Sequence, residues 1–211
     1  MTKLNEAYKD YSNEEVERFT EFVGLVKKAM VFATKAHKGQ YRKGLDSNGN
    51  RLEYITHPKS VSRILKKHKS SHRIDILVAV CLLHDTVEDV EWVTIEVIRQ
   101  EFGNLIASLV EELTSDTIGL ETFGKEVYLI NKMLNMSSWA LGIKLADRLH
   151  NLSDVKKRIE GGKASDVKWV KKYCNQTKNI ITALDGRTLT STHLKMIDEI
   201  SIIVEYGLSN V

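Results

Sequence analysis

Hydrophobic residues recur along most of this chain at helical spacing, with polar residues between them. Over 16–38 the apolar side chains follow one another every three or four residues, which is the period of a helix with one buried face. The segment 74–85 is apolar on almost every side and predicts a central, buried helix. A helix is predicted with Thr56 or His57 as its N-cap and Pro58 in its first turn. Further helices are predicted to cover 94–102, 104–113, 125–136, 139–156, 165–184 and 192–206.

The interruptions of this pattern are few. A single proline, Pro58, occurs in 211 residues, and proline is the residue that most strongly breaks helix interiors. The segment 39–53 is rich in turn residues, and its Asn48-Gly49 pair favours a short β-hairpin near residues 40–55. The segment 114–124 is predicted to be a polar loop. The fold class is therefore all-α with one short hairpin, and the absence of repeats or linkers predicts one domain over 1–211.

Composition narrows the class of protein. Hydrophobic residues make up 42% of the chain and charged residues 28%, which is ordinary for a globular protein. The net charge of +3 does not argue for a nucleic-acid or membrane partner. The first residues show no apolar signal-peptide core, and Cys81 and Cys174 have neither metal-ligand nor redox spacing. A reduced, cytoplasmic protein is expected.

The strongest chemical signal is a histidine and an aspartate, His84 and Asp85, directly after an apolar run. Ionisable groups next to buried apolar residues need compensation, and a bound cation would provide it. Asp147 lies 62 residues further on and His57 lies upstream, each in an apolar helical context. Two imidazoles and two carboxylates suit Mn, Fe or Zn. Taken alone, His57 could be a helix cap and Asp147 an ion-pair partner of Arg148 or Lys144.

Other polar residues could act on a phosphorylated substrate near such a metal. Glu88 and Asp89 follow Asp85 by about one helical turn, where a carboxylate can manage the proton of a water molecule; the alternative is a solvated acidic turn. Lys144 and Asn151 share a helix face with Asp147. In the basic segment 35–43, Arg42 and Lys43 could neutralise phosphate charge, although a solvated basic loop has the same composition.

Five segments together resemble the hydrolase domain of the RelA/SpoT family. They are AHKGQYRKG at 36–44, YITHP at 54–58, LHDTVED at 83–89, FG at 102–103 and KLADRLHNL at 144–152. The resemblance implies an HD-domain helical bundle that removes the 3′-pyrophosphate of the alarmones (p)ppGpp, giving GDP or GTP and pyrophosphate. It implies Mn²⁺, with another divalent metal as an option. Since the chain stops before a synthetase domain, it resembles a stand-alone alarmone hydrolase of the kind found in metazoans.

The resemblance also implies roles for individual residues. Carried over by motif, His57, His84, Asp85 and Asp147 bind the metal. Glu88 and Asp89 form the catalytic acidic pair, while Arg42, Lys43 and Asn151 contact the substrate, with Lys144 a further candidate from its position on the helix.

The sequence departs from the family pattern at a few positions. Glu53 replaces a frequent proline, Asp154 replaces a frequent threonine, and the loop between Gly44 and Tyr54 is longer. These changes bear on the substrate more than on the metal chemistry. The alternatives are another HD-type phosphohydrolase, acting on a deoxynucleotide, a nucleoside monophosphate or NADPH, and a non-catalytic nucleotide-binding protein. The last fifty residues carry no motif and would provide core packing or the interface of a homo-oligomer.

Overall fold

The computed structural model describes residues 13–45 and 48–211, with side chains from residue 23 to 43 and from 48 onward. The expectation about the first residues of the chain therefore lies outside the described part. The elements are α1 (Asn13–Ala36), β1 (Tyr41–Leu45), β2 (Arg51–Glu53), α2 (Thr56–His68), α3 (Ile74–Leu83), α4 (Thr86–Asp89), α5 (Ile95–Phe102), α6 (Asn104–Leu113), α7 (Thr117–Phe123), α8 (Lys125–Asn135), α9 (Ser138–Leu152), α10 (Val155–Glu160), α11 (Ala164–Ala183), a 3₁₀ turn (Leu184–Gly186) and α12 (Ser191–Ser209).

Helix α3 forms the centre of the core. Every residue from Ile76 to Leu83 is buried, because α1 and α2 pack against α3, and α6 and α9 also contact it. Helix α9 packs in turn on α2 and α12. Each fully buried aliphatic side chain contributes about 1.5–3 kcal/mol. The prediction of an all-α fold with a central apolar helix is confirmed.

The predicted hairpin is also confirmed, and it forms a small two-stranded sheet. Tyr41 pairs with Glu53 and Leu45 with Arg51 in antiparallel register, with an irregularity between them. The connection contains Gly49 at φ +81°, a left-handed conformation that glycine adopts without strain. The backbone N–H of Tyr54 donates to the carbonyl of Gln40 at 3.0 Å, so the hairpin is held at the start of α2.

The predicted cap of α2 is wrong. The N-cap is Ile55, and no side chain caps this helix end. Thr56 is the first helical residue, and its hydroxyl donates to the carbonyl of Glu53 at 2.7 Å. The hydroxyl is therefore engaged with the preceding turn rather than with the helix, and His57 is left free to point into the protein.

The segment 114–124 is not a polar loop, because seven of its residues form α7. Asp116 caps this helix through its carboxylate, which accepts from the N–H groups of Ile118 and Gly119 at 3.2 and 2.8 Å. This cap offsets the poor helix propensity of a Gly- and Thr-containing segment. The predicted helix over 139–156 also differs, since it divides into α9 and α10 at Ser153 and Asp154.

Gly207→Ala is expected to destabilise the protein by about 1–3 kcal/mol, the usual cost of overpacking a core. A Cβ at Gly207 would lie 2.7 Å from Cys174 Sγ and 3.2 Å from Val155 Cγ1, where α12 crosses α10 and α11. Gly186→Ala is the matched control, because its Cβ would meet nothing within 4 Å. Urea unfolding monitored by circular dichroism measures both; equal stability of the two variants would contradict the tight crossing.

Candidate metal-dependent active site

The four residues predicted as metal ligands come together from three parts of the chain. His57 lies in the first turn of α2, and Asp147 lies within α9. His84 and Asp85 occupy the junction between α3, which ends at Leu83, and the short helix α4, which begins at Thr86. His57, His84 and Asp147 are buried, and Asp85 is half-buried.

Their polar atoms face one common point. His57 Nε2 lies 3.1 Å from Asp147 Oδ1 and 3.4 Å from Asp85 Oδ2. His84 Nε2 lies 3.1 Å from Asp85 Oδ1 and 3.9 Å from Asp147 Oδ1. One ligand atom from each of His57, His84 and Asp85 fits within a set of mutual distances below 4.8 Å. This spacing suits a single cation.

The hydrogen bonding of His84 fits a metal ligand. Its Nδ1 lies 2.7 Å from the carbonyl oxygen of Cys81, and a carbonyl can only accept, so Nδ1 carries a proton. In the neutral ring, Nε2 is then left with a lone pair. Within the described part of the chain this buried Nε2 atom has no hydrogen-bond partner of good geometry. An orphaned, buried imidazole nitrogen between two carboxylates is a suitable donor for a divalent metal.

The electrostatic field at the cluster also favours a cation. Burial would raise the pKa of Asp85, but His84 and His57 hold it below its ordinary value. Burial would lower the pKa of His84, but Asp85 and Asp147 raise it to about 9. The carboxylates thus remain ionised and draw a proton to His84 when no metal competes. The same negative field attracts a divalent cation.

Three residues on α9 share one face, as the spacing predicted. Lys144 Nζ lies 3.2 Å from Asp147 Oδ2, and the side-chain amide of Asn151 donates to Asp147 Oδ1 at 2.7 Å. Asn151 Oδ1 in turn accepts from Arg42 Nη2 at 3.1 Å. Arg148 faces away and donates to Thr177 Oγ1 at 2.8 Å, so Lys144 is the ion-pair partner of Asp147.

The two residues of the acidic pair, Asp89 and Glu88, point in different directions. The helix breaks before α4, but the N–H of Asp89 still donates to the carbonyl of Asp85 at 3.0 Å, one turn away. Asp89 and Glu88 are both exposed. The Asp89 carboxyl interacts with the Tyr54 hydroxyl, and its partial desolvation together with the charge of Asp85 raises its pKa. The Glu88 carboxylate accepts from the N–H of Ser115, in the connection before α7.

The two basic residues of β1 differ in their exposure and in their contacts with the cluster. Arg42 is half-buried and reaches Asn151, whereas Lys43 is exposed. Consecutive side chains of a strand point to opposite faces, so the strand that directs Arg42 toward the cluster directs Lys43 away from it. The predicted substrate role of Lys43 therefore has less geometric support than that of Arg42.

Three residues next to the cluster, Tyr54, His150 and His37, were not assigned individual roles from the sequence. The hydroxyl of Tyr54 donates to Asp85 Oδ2 at 2.7 Å, and burial together with Asp85 raises its pKa. His150 Nδ1 lies 2.7 Å from His57 Nδ1, and burial and His57 lower its pKa to about 4. The rings of His37 and Tyr54 contact each other at a tilt of 35°, with centroids 4.7 Å apart. The only sequence signal for His150 was its position three residues after Asp147, on the same helix face.

A mainly helical bundle that brings two histidines and two aspartates together is typical of a metal-dependent protein, and a family comparison identifies the family. The family model described as HD domain matches residues 29–170. The chain therefore belongs to the HD domain family, and this family together with the His-His-Asp cluster indicates a divalent metal.

The chain is also similar to individual proteins that carry a specific name. The chain is 33% identical over 162 residues to the Xenopus tropicalis protein named guanosine-3′,5′-bis(diphosphate) 3′-pyrophosphohydrolase MESH1, covering 77% of this chain and 86% of that protein. The Homo sapiens protein of that name is 32% identical over 155 residues, covering 74% and 82% respectively. A solved structure of a metazoan orthologue of SpoT that hydrolyses ppGpp matches with a TM-score of 0.66 and 28% identity, covering 87% of this chain and 96% of that one.

Proposed function

We propose that this protein is a metal-dependent hydrolase that removes the 3′-pyrophosphate of ppGpp or pppGpp, with Mn²⁺ as the metal. The observation that carries the proposal is the convergence of His57, His84, Asp85 and Asp147 on one point. Relatives named for this reaction align over most of their own length. These four residues would hold the metal, which would supply Lewis acidity next to the substrate phosphates.

A bound divalent cation supplies Lewis acidity, which lowers the pKa of a water molecule and offsets phosphate charge. The chain's own residues prepare the site for this chemistry. The Cys81 carbonyl orients the His84 ring, and the Tyr54 hydroxyl orients the Asp85 carboxylate. Because both side chains are held before any ligand binds, the site would need little reorganisation, which would lower the entropic part of the barrier.

Asp89 is the proposed proton-transfer group. Attack of water at the 3′-linked phosphorus breaks the bond to the ribose 3′ oxygen, so the water loses a proton and the leaving oxygen gains one. The raised pKa of Asp89 suits this exchange, whereas the lowered pKa of Asp85 suits a permanent ligand; environments that separate two carboxyl groups in this way mark their different roles. Glu88, held by Ser115, would orient the water.

Arg42, Asn151 and Lys144 form the proposed substrate side of the site. Arg42 is held by Asn151 and offers its remaining N–H groups to the phosphates or to the guanine base. Lys144 keeps its charge, because Asp147 and Asp85 raise its pKa despite burial. Its ammonium group can therefore neutralise phosphate charge.

Incubation of the purified protein with ppGpp and Mn²⁺, with and without a chelator, tests the proposal. GDP and pyrophosphate in equal amounts, lost on chelation and restored by added Mn²⁺, are expected. Turnover of a deoxynucleotide, a nucleoside monophosphate or NADPH in place of ppGpp would move the assignment to another HD-type phosphohydrolase. Metal binding without turnover of any of these substrates would favour a nucleotide-binding protein.

Arg42→Ala is expected to lower kcat/KM for ppGpp by about 10- to 100-fold, since a charge-assisted hydrogen bond contributes about 1.5–3 kcal/mol. Lys43→Ala is the matched comparison, because it removes one positive charge from the adjacent position on the opposite face of β1. A smaller loss, within about threefold, is expected there from weaker long-range attraction alone. Steady-state kinetics at fixed ionic strength measure both, and equal losses would contradict the separation of the two side chains.

We also infer one domain over 1–211, because α11 and α12 pack together and α12 packs on α9, which carries Asp147.

In the described residues, no helix combines the length and the apolar character needed to cross a bilayer. The cytoplasmic location and the homo-oligomer stay predictions. Gel filtration with light scattering measures the second.

A further inference from the structure

Two imidazole rings meet beside the proposed metal site. His57 Nδ1 lies 2.7 Å from His150 Nδ1, and the ring centroids are 4.8 Å apart. A hydrogen bond between two nitrogens needs a proton on one and a lone pair on the other. The distance therefore requires that one ring donates and the other accepts, and that the accepting ring is neutral.

The surroundings of His57 decide which ring donates. Its other nitrogen, Nε2, faces the carboxylates of Asp85 and Asp147, so Nε2 is the atom that can bind a metal. A ring that binds a metal through Nε2 carries its proton on Nδ1. His57 must then donate, and His150 must accept through Nδ1 and carry its own proton on Nε2.

We propose that His150 is a positioning residue, which holds His57 in the tautomer and ring orientation that bind the metal through Nε2. This inference rests on the proposed function, because it requires the metal site. The other histidine ligand is held differently, since His84 donates to a backbone carbonyl, which no substitution of a side chain removes. His57 depends on a side chain, and that side chain can be varied.

Helix α9 supplies one proposed ligand, Asp147, and contacts a second, His57, through His150. His150 follows Asp147 by three residues, so both project from the same face of one helix. Asp147 approaches His57 Nε2 at 3.1 Å, while His150 approaches His57 Nδ1 at 2.7 Å. The His57 ring is thus held at both nitrogens by α9, although it belongs to α2.

Two variants separate the role of the acceptor from that of packing. His150→Asn places an amide oxygen where Nδ1 stands and keeps an acceptor for His57. His150→Leu keeps a side chain of comparable bulk and removes the acceptor. We expect His150→Leu to weaken Mn²⁺ binding by about 10- to 100-fold, the usual effect of losing the partner of a metal-ligating histidine. His150→Asn is expected to stay within about threefold of the wild type.

Isothermal titration with Mn²⁺ alone, without substrate, provides the affinities, and circular dichroism of the metal-free proteins confirms that each variant is folded. Equal affinity of His150→Leu and wild type would overturn the inference and leave the proposed function standing. Equal loss in both variants would also overturn it, because the acceptor would not be the relevant feature. A wild-type protein that binds no divalent metal would overturn the proposed function and this inference together.

A second measurement does not depend on the folding of any variant. Imidazole ¹⁵N NMR of the wild-type protein loaded with Zn²⁺, a diamagnetic substitute, distinguishes protonated from unprotonated ring nitrogens. We expect a proton on Nδ1 of His57 and on Nε2 of His150. The reverse arrangement, with a proton on Nδ1 of His150, would overturn the inference.

Discussion

Asp147→Asn is expected to lower both the Mn²⁺ affinity and the turnover of ppGpp by at least about 100-fold, because it removes one of two carboxylates that face the proposed metal site. The amide has the size of the carboxylate, so packing within α9 is preserved. Asp147 Oδ1 lies 3.1 Å from His57 Nε2, and its Oδ2 pairs with Lys144 at 3.2 Å. The substitution therefore also leaves the Lys144 charge without its partner.

Calorimetry with Mn²⁺ and a pyrophosphate-release assay measure the two effects. Asp198→Asn is the matched control, since it makes the same change at an exposed position on α12, and it should leave both quantities unchanged. Retention of wild-type affinity in Asp147→Asn would remove this residue from the ligand set. Loss of turnover with unchanged affinity would assign Asp147 to the substrate instead.

Asp89→Asn is expected to lower kcat by about 100- to 10,000-fold, the range for loss of a general acid or base, while the Mn²⁺ affinity stays within about twofold. Asp89 lies one turn beyond Asp85, and partial desolvation of its carboxyl together with the charge of that neighbour raises its pKa, but its carboxylate is not among the ligand atoms that converge. An amide at this position can neither take nor give the proton.

The control for this effect is Glu91→Gln, which neutralises an exposed carboxylate two residues further along the chain. A parallel fall in metal affinity in Asp89→Asn would show that Asp89 supports the metal and not the proton transfer. Unchanged kcat would shift the proton-transfer role to Glu88, whose substitution to Gln then becomes the informative variant.

The sequence predicted a helix well where features within that helix alone determine it. Helix α3 is surrounded by other elements on all sides, so its continuous apolar run marks it without reference to the rest of the fold. Helix α5 carries its own cap, Thr94, and its own stop, Gly103 at φ +84°. Helix α7 was missed because its stability comes from the Asp116 cap and from packing on α8, and neither appears in hydrophobic periodicity.

Some contacts in the proposed site follow from local spacing in the sequence, and others do not. Asp147 and Asn151 were placed together correctly, because helical spacing alone brings them to one face. The contact between His57 and His150 joins residues 93 positions apart, and no local rule predicts it. The divergence of Arg42 and Lys43 depends on a strand, and the sequence indicated a hairpin without defining which of its faces meets the cluster.

The chain of hydrogen bonds from Arg42 through Asn151 to Asp147 has a thermodynamic consequence. The Asn151 amide accepts at one end and donates at the other, so a ligand that draws Arg42 away changes the environment of the Asp147 carboxylate. With the proposed roles of Asp147 and Arg42, cation and substrate would share a coupling free energy, and linkage requires that each would alter the affinity of the other by the same factor. Mn²⁺ titrations with and without the substrate would then give different affinities.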